Sequence, residues 1–188
     1  MSDPDKMKFL KIEPSGVELM KPSRWRLNPQ HITRTFENCT ISSRFDGGNL
    51  EDVQRQSDVF DIFISQDQAP YSSEDNYRNW FSFCITGAQK GDYLNFRIAN
   101  MKNQSKLYTQ GMRPVYKVVS KTGKEVRKWE RIPSIVKHNY NEEENIFSVS
   151  FSVQFFYDST NIVYVAYGFP YSFTEITCKL DQVQQKAA

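Results

Sequence analysis

Between Ile146 and Tyr157 the side chains change character at every step. Phe147, Val149, Phe151, Val153 and Phe155 fall on one side, and Ser148, Ser150, Ser152 and Gln154 on the other. An apolar period of two over this length predicts a β-strand with one buried face, because a helix would scatter the same residues around its circumference. A strand that is apolar on one face needs a second layer to cover it, so the chain is constrained to a layered β architecture.

Shorter segments repeat the pattern. Phe60, Ile62 and Ile64 alternate with Asp61 and Phe63; Phe81, Phe83 and Ile85 with Ser82 and Cys84; Leu94, Phe96 and Ile98 with Asn95 and Arg97. Cys39, Ile41 and Phe45 suggest a further strand within 37–45. Ile162–Tyr167 is apolar on both faces and predicts a central strand. Turn signals separate these runs: Asp46-Gly47-Gly48-Asn49, Gly87–Gly91, Thr122-Gly123, Asn141–Asn145 and Asp158–Asn161. Many short strands spaced in this way point to an all-β fold, an antiparallel β-sandwich. With 188 residues, 14 Phe and 10 Tyr, the chain has the length to bury roughly 70% of its unfolded surface, and its core requires neither metal nor disulfide.

Both ends depart from the pattern. Residues 1–34 are polar, carry Pro4, Pro14, Pro22 and Pro29, and read as an irregular lead-in. The sandwich is expected over 35–173. After Pro170, Ser172-x-x-Glu175 has the form of a capping box, and Ile176, Leu180 and Val183 recur at helical spacing. A short C-terminal helix is expected over 174–185, and 174–188 reads as the start of a linker helix toward another domain.

The chemistry the residues exclude is informative. The formal net charge is +2, which gives no strong field toward nucleic acid or anionic lipid. No apolar run approaches the ~18 residues of a membrane span, and Met1–Lys11 lacks a signal-peptide core. Cys39, Cys84 and Cys178, odd in number and far apart, read as reduced thiols of a reducing compartment, and a cytoplasmic location is expected. The sequons at Asn38 and Asn103 then read as chance matches. His31 and His138 are the only histidines and stand in no metal-binding motif. Cys84 sits in strand phase opposite Phe81 and Phe83 and is expected to be half-buried and inert. Asp46-Gly47-Gly48-Asn49 reads first as a tight turn with glycine at positive φ, and could also present Asn49 to a ligand. Lys117–Arg131 reads as a charged hairpin around Thr122-Gly123, or as a basic ridge for acidic peptide or phosphate. Glu142-Glu143-Glu144 reads as a solvated loop tip. No catalytic residue, metal ligand or cofactor is assigned to this chain.

Five stretches resemble one family in order and spacing. Ser43-Arg44-Phe45-Asp46-Gly47-Gly48-Asn49-Leu50 resembles the Ser-Arg-Phe-Glu-Ser-Gly-Asn-Leu motif of cytosolic carboxypeptidases. Asn79-Trp80-Phe81-Ser82-Phe83 is similar to the Trp-Phe/Tyr-Phe strand of that family, and Asn95–Asn100 to its next strand. Gly111-Met112-Arg113-Pro114 matches its Gly-Met-x-Pro, and Val165–Ser172 resembles its Phe-Ala-Tyr-x-x-Pro-Tyr-Thr. Asp46, Gly47 and Val165 depart from the family pattern. The resemblance implies a non-catalytic N-terminal β-sandwich that packs against its own zinc carboxypeptidase domain. Zinc and the catalytic residues would belong to that absent domain, and the substrates would be glutamate-rich protein tails such as those of tubulin. It marks Arg44, Phe45, Asn49, Met112, Pro114, Tyr167 and Tyr171 as candidates for a substrate cleft or domain interface. For Tyr167, core packing with a bonded hydroxyl is an equal reading. Two alternatives stand beside this one: a free-standing module that binds peptide or carbohydrate on an aromatic face, and, disfavoured by the charge balance, a single-stranded nucleic-acid binder using the Lys117–Arg131 ridge.

Overall fold

The structure is a computed structural model, and it describes residues 31–67 and 77–187. Eleven strands and two helices are found there: β1 (Thr33–Thr35), β2 (Thr40–Ser42), β3 (Asp52–Gln56), β4 (Val59–Phe63), β5 (Ser82–Thr86), β6 (Tyr93–Met101), α1 (Ser105–Thr109), β7 (Val115–Val119), β8 (Glu125–Arg131), β9 (Lys137–Asn141), β10 (Ile146–Gln154), β11 (Ile162–Ala166) and α2 (Phe173–Ala187). They form a six-stranded sheet in the order β1-β2-β5-β11-β7-β8 and a five-stranded sheet in the order β3-β4-β6-β10-β9. This is the all-β sandwich expected from the alternation, followed by the C-terminal helix expected from the capping box and the helical spacing of Ile176, Leu180 and Val183. Most of the expected lead-in, residues 1–30, lies outside the described residues; β1 falls at its end.

Among the described residues every inter-strand pairing is antiparallel except one. β4 and β6 run parallel, with Phe60 opposite Phe96 and Ile62 opposite Ile98, because the chain crosses to the other sheet to make β5 before it returns. β11 lies between β5 and β7, in the interior of its sheet, as its two apolar faces require.

The inward faces meet through phenylalanines. Phe81 stacks on Phe151 at 6.2 Å between ring centroids, Phe83 meets Phe96 at 5.6 Å, and Phe96 meets Phe60 at 5.6 Å and Phe151 at 5.8 Å. Offset and tilted ring pairs of this kind contribute about 0.5–1.5 kcal/mol each beyond their buried area. All five rings are buried.

Three outward-facing positions depart from simple alternation: Ser82, Cys84 and Asp61. Cys84 was expected to be half-buried but is 1% exposed. Alternation places it on the outer face of β5, and the Phe45 loop folds over that face, so Phe45, Cys84 and Ile162 form a second small core with Tyr164 packed against it. The Phe45 and Tyr164 rings meet edge-on at 5.1 Å. Asp61 alternates with Phe60 and Ile62, yet it too is buried. Its carboxylate accepts two hydrogen bonds from Arg97 directly across the parallel pair, at 2.6 and 2.5 Å. The bond to Asp61 raises the Arg97 pKa above its ordinary value. A bidentate bridge between these strands fixes their register, since a slip of one residue would place Arg97 on the core face.

Removing Arg97 leaves a buried carboxylate without its partner. Arg97→Ala is expected to cost roughly 3 kcal/mol in urea unfolding, at the lower end for a broken buried pair because the guanidinium itself is partly exposed. Arg34→Ala, at an exposed pair with Asp52, is expected to cost under about 1 kcal/mol.

Candidate functional site

The five motif stretches are far apart in sequence, and four of them converge on one end of the sandwich. The β2–β3 loop, the residues leading into β5, the β6–β7 connection with α1, and the segment between β11 and α2 all meet there. The contacts are specific. Asn49 Nδ2 donates to the carbonyls of Trp80 at 2.7 Å and Ser65 at 3.1 Å. Trp80 Nε1 donates to the Gly47 carbonyl at 2.8 Å. The Trp80 ring lies 6.4 Å from that of Tyr167.

The glycines explain the loop. Gly47 has φ +81°, as the turn reading expected. Gly48 serves a different need: a Cβ there would lie 2.1 Å from the Ser43 carbonyl oxygen. The loop therefore closes tightly enough to turn Phe45 and Asn49 inward.

A chain of side-chain hydrogen bonds runs through the same end. Asp67 accepts from the Trp80 amide at 3.0 Å and from Asn79 Nδ2 at 2.9 Å. Asn79 Oδ1 accepts from Gln104 Nε2 at 2.6 Å, and Gln104 Oε1 accepts from the Tyr167 hydroxyl at 2.8 Å. Burial raises the Tyr167 pKa, so the phenol stays protonated and donates.

The structure thus sorts the candidate residues. Phe45, Asn49 and Pro114 are buried and out of reach of a ligand in this structure; their side chains hold the loops in place. Tyr167 is half-buried, packed against Phe81 and Trp80 and bonded through its hydroxyl. Met112 is half-buried, and its sulfur lies 3.6 Å from Arg131 Nη1. Arg44 and Tyr171 are exposed. The geometry adds residues that motif reading did not single out: Asp46, Asp67, Trp80, Gln104 and Arg131. Asp67 and Gln104 stand outside the motif stretches and carry no sequence signal of this role, and Arg131 belongs to the Lys117–Arg131 ridge.

Beyond β11 the chain turns apolar and outward. Phe169 is 58% exposed, with the Arg131 guanidinium 5.2 Å from its ring. Tyr171 is 56% exposed beneath the Lys179 ammonium at 4.6 Å. The capping box forms as its residues dictate: the Ser172 amide donates to Glu175 Oε2 at 2.8 Å, and the Glu175 amide to Ser172 Oγ at 3.2 Å. α2 runs slightly past the expected range. Phe173, Thr174, Thr177 and Cys178 are its half-buried positions. Its apolar stripe points the other way, with Leu180 58% and Val183 63% exposed. A surface helix of a globular protein typically turns such a stripe to the core.

The His138 ring packs against Tyr108 and Phe147. His31 is half-buried, and burial lowers its pKa. Among the described residues no three His, Cys, Asp or Glu side chains are grouped to hold a metal, and no helix is long and apolar enough to cross a membrane. The basic ridge is the β7–β8 hairpin, with Lys117 paired to Glu125 and Arg127 to Glu130. A groove of about 230 Å³, lined by Tyr93, Tyr116, Pro133 and Phe156, lies toward the opposite end of β6 and β10.

Fold and site together define a two-sheet β module whose loops gather at one end around a helix with its apolar stripe turned outward. A family model described as the cytosolic carboxypeptidase N-terminal domain matches residues 41–168, and the chain belongs to that family. Among curated relatives, mouse cytosolic carboxypeptidase 6 is 28% identical over 170 residues, covering 89% of this chain and 29% of the relative. Zebrafish cytosolic carboxypeptidase-like protein 5 is 29% identical, covering 79% of this chain and 18% of the relative. The chain therefore spans under a third of the length of these relatives. A Pseudomonas aeruginosa metallo-carboxypeptidase, solved in complex with (2-guanidinoethylmercapto)succinic acid, shares the fold at TM-score 0.51 and 21% identity, over 77% of this chain and 33% of the other.

Two expectations follow. Asn49→Ala strands the Ser65 and Trp80 carbonyls and is expected to lower unfolding free energy by about 2–3 kcal/mol, measured by urea titration. Burial pushes the Cys39 thiol to about 11 and the Cys84 thiol to about 12, so neither is a thiolate near neutral pH. Brief alkylation of the folded chain at pH 8 is expected to modify Cys178 alone, and the urea-unfolded chain at all three cysteines, read by intact-mass spectrometry.

Proposed function

We propose that this chain is the accessory N-terminal domain of a cytoplasmic zinc carboxypeptidase that trims glutamates from the C-terminal tails of proteins such as tubulin. The sandwich supports the catalytic domain and forms part of the wall of its substrate cleft. The zinc, its ligands and the catalytic groups lie in that neighbouring domain. The observation that carries the reading is the set of exposed apolar side chains that follows β11: Phe169, Tyr171, Ile176, Leu180 and Val183. Exposed clusters of this kind mark a contact that burial would stabilise. The family match and the greater length of the relatives support a carboxypeptidase domain as that neighbour.

Within the proposal, Tyr171 and the α2 stripe face the neighbouring domain, and Tyr167 and Met112 stand behind that contact. Arg44 is exposed with no ion pair among the described residues; it is the candidate for a charge-assisted hydrogen bond to an acidic tail. A second reading, a module that binds peptide or carbohydrate, is favoured by the Tyr93–Phe156 groove.

The two readings separate cleanly. In the full-length protein, the double variant Leu180→Asp/Val183→Asp is expected to abolish soluble expression or to cut release of C-terminal glutamate at least about tenfold, since burying two unpaired carboxylates costs several kcal/mol. Tyr93→Ala/Phe156→Ala is expected to leave it unchanged. Wild-type turnover in the first variant, with loss in the second, would favour the binding module. The 188-residue chain alone, with zinc added, is expected to release no glutamate.

A further inference from the structure

The segment from Tyr167 to Thr174 leaves the sandwich and enters α2; its near end is held by Trp80 and Gln104 and its far end by Asp46. At the near end, the Tyr167 ring packs edge-on against Trp80 at 6.4 Å, and its hydroxyl is held by the Gln104–Asn79–Asp67 chain. At the far end, the Thr174 amide donates to Asp46 Oδ2 at 2.8 Å across 128 positions of sequence. Asp46 precedes Gly47, whose carbonyl accepts from Trp80 Nε1 at 2.8 Å. Trp80 thus closes a ring: Tyr167 on one side of the indole, and the Asp46-Gly47 turn with the start of α2 on the other. The Asp67 carboxylate, bonded to the Trp80 and Asn79 amides, fixes the backbone that carries the indole.

We propose that Asp46, Trp80 and Tyr167 form a clamp that sets the direction in which α2 leaves the sandwich. Asp46 suits the far anchor, because a carboxylate at a helix N-terminus is attracted by the exposed amides and the helix dipole there. Ser172 and Glu175 cap the same terminus from within the segment, which stabilises the helix but does not tie it to the sandwich. Direction and helicity are therefore controlled by different residues. On the function proposed above, the clamp would set how the neighbouring domain is seated; the clamp itself does not depend on that reading.

The test measures direction without catalysis. Spin labels are placed at two exposed positions of this chain, Lys121→Cys in the β7–β8 turn and Gln182→Cys in α2, in a Cys178→Ser background; Cys39 and Cys84 are buried and do not label. Pulsed electron–electron resonance of the parent is expected to give one narrow distance distribution. Asp46→Ala and Tyr167→Phe each broaden it, and the double variant most. A freed six-residue linker wanders on the order of 10 Å, well beyond the parent width. Far-ultraviolet circular dichroism shows whether α2 and the sandwich survive. Ser172→Ala, which weakens the helix cap alone, is expected to leave the mean distance unchanged. A double variant that keeps its circular dichroism and the parent's narrow distribution would overturn the clamp. So would a broadening in Ser172→Ala as large as that in Asp46→Ala. An inactive full-length enzyme would count against the carboxypeptidase reading and leave the clamp standing.

Discussion

The phenylalanine contacts between the two sheets are the interaction on which everything else depends. Phe60, Phe81, Phe83, Phe96 and Phe151 form a continuous set of ring contacts across the interior, drawn from both sheets, with Phe81 directly before β5 and the others in β4, β5, β6 and β10. Burying one such side chain stabilises by about 1.5–3 kcal/mol, and together they hold the layers face to face. Only with the sheets so held do the loops at their ends come within hydrogen-bonding reach of one another. The buried Asp61–Arg97 bridge adds register rather than bulk stability.

On that scaffold the end loops are joined by polar contacts of long sequence separation. Asn49 to Trp80, Gln104 to Asn79, Tyr167 to Gln104 and Thr174 to Asp46 each tie one loop to another. In a partly dry setting each satisfied bond supports its neighbours, and loss of one exposes the rest to unpaired groups. This accounts for the inward turn of Phe45 and Asn49: the motif holds the platform in shape, and the exposed residues beyond β11 make the surface.

Much of the fold was legible in the chain because a period of two reports burial directly. β10, β6, the central position of β11 and the α2 capping box could all be read from residue order. The β7–β8 hairpin was marked by its Thr-Gly turn. What escaped reading had no local signature. α1 is five residues long, too short for periodicity to show. The parallel pairing of β4 with β6 depends on which sheet β5 joins. Cys84 and Asp61 break the inside–outside rule because a loop in one case and a neighbouring arginine in the other cover them. Motif resemblance picked out segments that the fold gathers at one end of the molecule, but it could not separate residues that build that end from residues that show on it.

Residue order alone determined that the chain must form stacked sheets followed by an amphipathic helix, since alternation and helical spacing are properties of neighbours in sequence. Only the tertiary structure decided that Asp46 meets the start of α2, that Trp80 stands between Tyr167 and Gly47, and that the Ile176-Leu180-Val183 stripe faces away from the sandwich. Those are distances between segments far apart along the chain, set by how two sheets pack, and no local pattern encodes them.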